Sequence, residues 1–140
     1  MNTRDVISLI SKIRQKANGF ILSELSKQGI DGIVVSHGDI IDALFRRQRM
    51  TMAEIAKKIA RDKSTVTALV NKLVALGYVT RERDTEDTRV VYVTLTPKGQ
   101  ELKPVFQEIS EKVLEALYQD IPMEDREELI RILLRIERNL

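Results

Sequence analysis

Two short amphipathic segments within residues 50–78 stand only three residues apart, and this spacing restricts the fold more than any other feature of the sequence. Thr51 and Glu54 form a capping box, which predicts a short helix ending near Ala60. Gly77 ends the next segment, STVTALVNKLVALGY, whose apolar residues share one helical face: Val66, Leu69, Val70, Leu73 and Leu76. Two helices joined this closely predict a helix-turn-helix.

Two apolar stretches follow this pair of helices directly. Residues 79–83 and 89–95 have the pattern of strands, and the polar residues 84–88 join them. Thr96 then caps another helix, with Pro97 at the first helical position, where a missing N–H costs no hydrogen bond. A β-hairpin placed directly after a helix-turn-helix is a wing, so residues 50–97 predict a winged helix.

Helical patterns flank this region on both sides. Residues 1–28 predict one long helix that Gly29 ends, and Ser36 with Asp39 forms a capping box for a helix reaching about Arg47.

Pro104 lies inside the helix that begins after Thr96 and should kink it. After a break at Ile121-Pro122, a last helix carries one apolar stripe: Leu129, Leu133, Ile136 and Leu140. The chain has no internal repeat and no linker, so we treat it as one unit.

Charge is unevenly distributed along the sequence. Residues 46–99 carry twelve Lys/Arg against six Asp/Glu, whereas residues 1–45 carry five of each and residues 100–140 carry six against ten. A basic middle suggests a segment that faces a polyanion, although a solvated face is the simpler explanation of charge alone.

Several classes of function are excluded by what the sequence lacks. The absence of cysteine excludes disulfides, thiolate metal sites and thiol redox switches. The one histidine, His37, stands beside Ser36 in a helix cap, where a catalytic triad cannot converge, and one histidine does not make a zinc site. We therefore expect no enzyme, no metal and no cofactor. Without a leader or a long apolar run, a cytoplasmic protein with no membrane span is expected.

The second short helix presents groups suited to DNA opposite its apolar stripe. Ser64, Ala68, Asn71 and Ala75 fall in the middle of the exposed face, and Thr65, Thr67 and Lys72 flank them. Hydroxyls, an amide and an ammonium are groups that contact phosphates and base edges in the major groove. An ordinary surface helix is the alternative, but such helices usually carry glutamates outward, and this face has no carboxylate.

The tip of the hairpin carries paired charges. Arg83 and Arg89 bracket the loop, and Asp87 stands two residues before Arg89. An arginine on a hairpin tip suits a narrow minor groove, and a carboxylate can orient its guanidinium through paired hydrogen bonds. An exposed ion pair worth at most about 1 kcal/mol is the alternative, and the spacing alone favours neither.

One motif in this region is specific. The pattern D-x-R, five residues, then L-T-x-x-G resembles the wing signature of the MarR family of winged-helix regulators, and here it reads Asp87, Arg89, Leu95, Thr96 and Gly99. The upstream segment DKSTVTALVNKLVALGYVTRERD is similar to that family's recognition helix and first wing strand. Helix order and length fit the family over essentially the whole chain.

The resemblance implies a mainly α (α+β) fold within a single chain, residues 1–140. Residues 34–96 would form the winged helix-turn-helix lobe, and residues 1–33 and 97–140 a helical region that forms a homodimer. It further implies that Asp87 positions Arg89 in the minor groove of double-stranded DNA. The residues implied to face the major groove are Ser64, Thr65, Thr67, Ala68, Asn71 and Lys72.

The resemblance also implies a function and a form of regulation. A two-fold dimer would repress transcription from a pseudo-palindromic operator with half-sites about 10 base pairs apart. Many relatives bind small, often aromatic, anions between the lobe and the dimer interface. Many also have a basic residue where this chain has Ala68 and an arginine where it has Thr88, so fewer cationic contacts are expected here.

A winged helix that docks on another protein and has no operator of its own is the alternative function. A protein-docking face would more often present aromatic or large apolar groups than the small polar groups found here. The basic middle and the carboxylate-free helix face therefore favour DNA.

Overall fold

Helices account for most of the chain, and the strands form one small sheet. The computed structural model describes all 140 residues. After a 3-10 turn at Thr3–Asp5, the elements are α1 Val6–Lys27, α2 Val35–Arg47, β1 Arg49–Thr51, α3 Met52–Ile59, α4 Lys63–Ala75, β2 Val79–Arg83, β3 Val91–Leu95, α5 Pro97–Gln100, α6 Lys103–Leu117 and α7 Met123–Arg138. The expected fold class, mainly helical with a winged helix-turn-helix, is confirmed.

The sheet contains a strand that the sequence did not indicate. The order is β1-β3-β2 with both pairings antiparallel, so the second wing strand lies in the centre. Met50 of β1 and Arg81 of β2 both pair with Val93. β1 has only three residues, too few for a periodic pattern. It forms because its backbone pairs with the edge of β3 that β2 leaves free.

The local end signals predicted from sequence are present at both helices of the helix-turn-helix. Thr51 Oγ1 accepts the Glu54 N–H at 3.1 Å, and a Glu54 carboxylate oxygen accepts the Thr51 N–H at 3.1 Å. Gly77 has a positive φ of 83°, and the Tyr78 N–H donates to the Leu73 carbonyl at 3.0 Å. These bonds satisfy terminal groups that would otherwise lack partners.

The expected capping box at Ser36 and Asp39 is wrong. Helix α2 begins at Val35, and the His37 imidazole accepts the Val34 N–H through Nδ1 at 2.8 Å. His37 is buried, so its ring is held against the start of the helix. The Ser36 hydroxyl instead accepts a hydrogen bond from Arg61 at 3.2 Å.

The expected kink at Pro104 is also wrong. The chain forms two helices in place of a bent one, since α5 ends at Gln100 and α6 begins at Lys103. Pro104 lies in the first turn of α6, where a backbone N–H would have no carbonyl partner within the helix, so proline costs no hydrogen bond there.

The hydrophobic core lies between α2, the helix-turn-helix and the sheet, and parts of α1 and α6 also contribute to it. Ile40, Leu44, Ile55 and Val93 are fully buried in it. Residues from outside the helix-turn-helix and the wing complete it: Leu25, Ile30, Leu102 and Ile109.

The terminal helices leave much apolar surface exposed. No residue of α7 is buried. Apart from Val34, every large apolar residue that is exposed comes from residues 1–13 or 114–140. None of the helices combines the length and the apolar character that a membrane span needs.

Candidate nucleic-acid interface

Helix α4 is anchored at its start by a residue that the sequence analysis did not select. Asp62 is the N-cap, and its Oδ1 accepts the Thr65 N–H at 2.7 Å and the Ser64 hydroxyl at 3.0 Å. The Thr65 N–H holds the pKa of the Asp62 carboxyl below its ordinary value. Asp is among the preferred N-cap residues, so this position was predictable.

The predicted contact residues lie on one face of α4. Ser64, Thr67, Ala68, Asn71 and Lys72 are exposed, while Thr65 is half-buried. The opposite face packs into the core through Val66, Leu69, Val70 and Leu73. The structure therefore brings the six predicted major-groove residues together.

Two of the three hydroxyls near the start of this face, those of Ser64 and Thr67, have their hydrogens committed. Ser64 donates to Asp62, and Thr67 Oγ1 donates to the Lys63 carbonyl at 2.9 Å. Each hydroxyl keeps lone pairs that can accept a hydrogen bond. Ser64 and Thr67 therefore offer acceptors.

The other end of the face contains an arginine that the sequence analysis missed. Arg81 extends from β2, and its Nη2 donates to the side-chain oxygen of Asn71. Successive side chains alternate across a strand, so Arg81 shares a face with Val79, which is buried. This alternation could have predicted the position of Arg81 from the sequence, because it places Arg81 on the face of β2 that is buried at Val79.

The wing tip presents one arginine and uses the other as a brace. Arg89 donates to Asp87 twice, from Nε to Oδ1 at 3.0 Å and from Nη2 to Oδ2 at 3.2 Å, and its side chain is 89% exposed. Arg83 donates through Nη1 to the Thr88 carbonyl, within the loop. Both arginines are exposed at the tip, and the two bonds to Asp87 fix the orientation of the Arg89 guanidinium.

Asp87 also sets where the second wing strand begins. Its Oδ1 accepts the Arg89 N–H at 3.1 Å, and β3 starts at Val91 instead of at residue 89 as predicted. The backbone group is used by the carboxylate and not by the strand ladder. These bonds from Arg89 lower the pKa of the Asp87 carboxyl, so it stays ionised near neutral pH.

The remaining motif residues fasten the wing to the end of α4. Thr96 Oγ1 donates to the Gly77 carbonyl at 2.5 Å and accepts the Gly99 N–H at 3.1 Å. A Cβ on Gly99 would lie 2.1 Å from the Tyr78 carbonyl oxygen, so only glycine fits there. The motif thus joins wing and recognition helix into one rigid unit.

Lys72 lies next to the connection between α1 and α2. A Cβ built on Gly32 would come within 4.0 Å of Lys72 Cε and Nζ. Burial lowers the pKa of His37 below its ordinary value, and the Lys72 charge adds to this effect. The α4 surface is therefore electrostatically linked to the start of α2.

Comparison with known proteins identifies relatives of this arrangement. The MarR family model matches residues 35–91. The HTH-type transcriptional regulator SarZ of Staphylococcus haemolyticus is 31% identical over 100 residues, which are 71% of this chain and 67% of that protein. The chain spans 67%, 66% and 49% of the length of three curated relatives that it matches.

Solved structures resemble nearly the whole chain. A MarR transcriptional regulator from Methanosarcina mazei superposes with a TM-score of 0.85 at 26% identity, over 98% of this chain and 96% of that one. A mutant of MarR from E. coli in complex with operator DNA gives a TM-score of 0.84 at 20% identity, over 97% and 99%. Because the identity to the E. coli protein is only 20%, this second similarity supports a shared fold and nothing more.

Proposed function

This chain belongs to the MarR family of DNA-binding transcriptional regulators, and from that membership we propose that it acts in the cytoplasm as a homodimeric repressor on a pseudo-palindromic operator. The family is not enzymatic, so the expectation that this chain is no enzyme is confirmed. Transcriptional regulation is its general function; the dimer, the operator and the response to a ligand are the parts proposed here.

The wing arginine is the observation that carries the operator proposal. Arg89 is exposed and held as a fork by two bonds to Asp87, on a hairpin fastened to α4. A cation held this way loses little freedom on entering a minor groove, where the negative potential is concentrated. In the same binding mode, Ser64, Thr65, Thr67, Ala68, Asn71 and Lys72 face the major groove.

The exposed apolar surface supports the homodimer. A groove of about 1180 Å³ between α1, α6 and α7 is lined by Phe20, Leu114, Met123 and Ile130, among others. Contiguous apolar surface on a soluble chain marks an interaction site. We assign it to a second copy, with residues 1–33 and 97–140 as the dimerisation region and residues 34–96 as the DNA-binding lobe.

A cavity between α1, α2 and α6 supports release by a small ligand. It measures about 270 Å³ and is lined by apolar residues that include Ile21, Phe106 and Val113. Its charged lining is Arg46 with two carboxylates, Asp39 and Asp42, and Arg46 pairs with Asp42 at 3.4 Å. A small aromatic anion would place its ring among the apolar residues and its carboxylate on Arg46 in place of Asp42.

The first experiment is a binding titration with the DNA upstream of the protein's own gene and with scrambled DNA, at several salt concentrations. A saturable preference for the upstream fragment, with affinity falling as salt rises, supports the proposal. Equal weak binding to both fragments would move the function towards a remote operator or a protein partner.

A thermal-shift screen tests the ligand. Aromatic carboxylates should stabilise the protein and weaken its complex with DNA, and Arg46→Ala should remove both effects. If these compounds do neither with the parent protein, the regulation is not by this class of ligand.

A further inference from the structure

One side chain joins the start of α7 to the end of α6. Arg126 lies in the first turn of α7 and is half-buried. Its Nε donates to the Ile121 carbonyl at 2.7 Å, and its Nη2 donates to the Tyr118 carbonyl at 3.0 Å. Its guanidinium carbon also lies 4.9 Å from the centre of the Tyr118 ring. Arg126 therefore binds the end of α6 and the connecting turn at the same time.

The end of α6 is suited to binding a cation. The last carbonyls of a helix have no partners within the helix, and they give its C-terminus a partial negative charge. Tyr118 follows the last residue of α6, and its carbonyl accepts both the Ile121 N–H at 3.0 Å and the Arg126 guanidinium. Because a guanidinium is a rigid fork of donors, bonds to two carbonyls fix the path of the turn and do not only neutralise its charge.

The backbone of the turn has two further restrictions. Asp120 has a positive φ of 61°, an uncommon conformation in which Asp is one of the favoured residues. Pro122 has a φ of −60°, the value at which its ring holds the backbone. These residues restrict the turn at single positions, whereas Arg126 spans it from one helix to the other.

Helix α7 has no other side-chain hydrogen bond to an earlier part of the chain. Its second bonded arginine, Arg131, donates to Glu128 of the same helix at 2.8 and 2.6 Å. No residue of α7 is buried, so packing within the single chain restricts its direction little. The two bonds of Arg126 are therefore the contact that orients α7.

Resting on the proposed dimer and operator, we infer that Arg126 is a positioning residue, which sets the direction of α7 and thereby the separation of the two recognition helices. The 16 residues of α7 span about 24 Å. Turning α7 by about 10° at Arg126 would move its far end by about 4 Å, more than the rise of one base pair, about 3.4 Å. Because α7 belongs to the proposed interface, that movement changes the half-site spacing at which both α4 helices can bind.

The first test measures DNA binding as a function of half-site spacing. The operator that the parent selects is resynthesised with one base pair inserted or removed between the half-sites, and each duplex is titrated with the parent and with Arg126→Ala. In the parent, either change should weaken binding about tenfold, because the second half-site contact is misplaced. Arg126→Ala should lose about threefold or less, since a loosely oriented α7 accommodates both spacings.

The second test measures the direction of α7 without DNA. The chain has no cysteine, so Gln107→Cys in α6 and Glu137→Cys in α7 direct spin labels to these two positions alone. The labelled chain is assembled with an excess of unlabelled chain, so that each measured distance lies within one protomer. The distribution of distances should be narrow in the parent and broader in Arg126→Ala.

Arg131→Ala is the matched control. It removes the same side chain and the same charge from α7, but the bonds of Arg131 stay within that helix. This variant should keep the parental dependence on spacing and the narrow distribution of distances.

The outcomes separate this inference from the operator proposal. If the parent selects no operator, the proposed function fails, and the distances alone decide whether Arg126 orients α7. If Arg126→Ala discriminates the spacings as sharply as the parent does, or if its distances are as narrowly distributed, the role of Arg126 is overturned. An Arg126→Ala protein that is monomeric where the parent is dimeric also overturns it, because Arg126 would then hold the dimer together instead of setting its geometry.

Discussion

The winged lobe and the last helix use the same kinds of apolar side chain, but only the lobe buries them within one chain. Ile40 and Ile55 of the lobe are fully buried, whereas Ile132 of α7 is 43% exposed and Leu133 is 37% exposed. Burying one such side chain contributes about 1.5–3 kcal/mol. The lobe therefore gains this stabilisation when the single chain folds. Helix α7 can gain it only by burying these side chains against another molecule.

The largest effect is expected from a charge placed on the α7 stripe. Leu133→Asp should convert the proposed dimer to monomers, because a carboxylate cannot be buried unpaired in the proposed interface. Losing one half-site contact should weaken operator binding by about a hundredfold or more. Sedimentation equilibrium and DNA titration measure the two effects, with Leu133→Met as the conservative control. A Leu133→Asp protein that remains dimeric would show that α7 is not part of the interface.

A matched pair of substitutions compares the two regions directly. Ile40→Ala should lower the free energy of unfolding by about 2–5 kcal/mol, with little dependence on protein concentration. Ile132→Ala should cost at most about 0.5 kcal/mol in the monomer, with a larger loss only where the dimer is populated. Chemical denaturation at several protein concentrations gives both values. Equal losses at all concentrations would remove the distinction between the regions.

Substitution of the wing arginine should weaken DNA binding and leave the proposed dimer intact. Arg89→Ala removes the exposed fork and should weaken operator binding roughly tenfold, without changing the sedimentation of the free protein. Asp87→Asn keeps the cation but loosens its orientation, so it should give a smaller loss. If Arg89→Ala binds the operator as tightly as the parent does, the assignment of the wing is wrong.

The smallest effect concerns the dependence of stability on pH. The folded state lowers the pKa of His37 from its ordinary value of 6.5, so the unfolded chain takes up the proton first as the pH falls. Stability should therefore be complete above pH 7 and should decline below about 6.5, by at most about 1.4 kcal/mol per pH unit.

His37→Gln serves as the control for that decline. Glutamine can still accept the Val34 N–H but does not titrate, so its stability should stay flat between pH 7 and 6. Burial raises the pKa of Asp39, so the folded chain takes up this proton before the unfolded chain does. The effect of Asp39 on stability is therefore opposite to that of His37: it increases stability as the pH falls towards the ordinary carboxyl range. Urea denaturation at closely spaced pH values separates the two. A parental curve as flat as that of His37→Gln would contradict the role of the imidazole.

Local signals made the helix-turn-helix and the wing predictable. The bonds between Thr51 and Glu54, and the reversal at Gly77, connect residues at most five positions apart, so short patterns encode them. The exposed face of α4 followed from helical periodicity. The place of Arg89 at the tip followed from the spacing of the motif.

Other features depended on segments far apart in the chain. Strand β1 exists because β3 lies beside it, and His37 replaced the expected Ser36 cap because its ring is buried. Arg81 reaches Asn71 only once β2 has packed against α4. Strand alternation places Arg81 on the same face as Val79, but none of these contacts is specified within a short window of sequence.

The sequence by itself determined the order of the elements, where most helices end, and which face of each helix is apolar, because backbone hydrogen bonding and periodicity are local. Only the tertiary structure decided which apolar faces the chain can cover on its own and which it leaves exposed on α7. It also decided which polar groups on α4 remain free to bind DNA. Both depend on which segments come together, and that is set by packing of the whole chain.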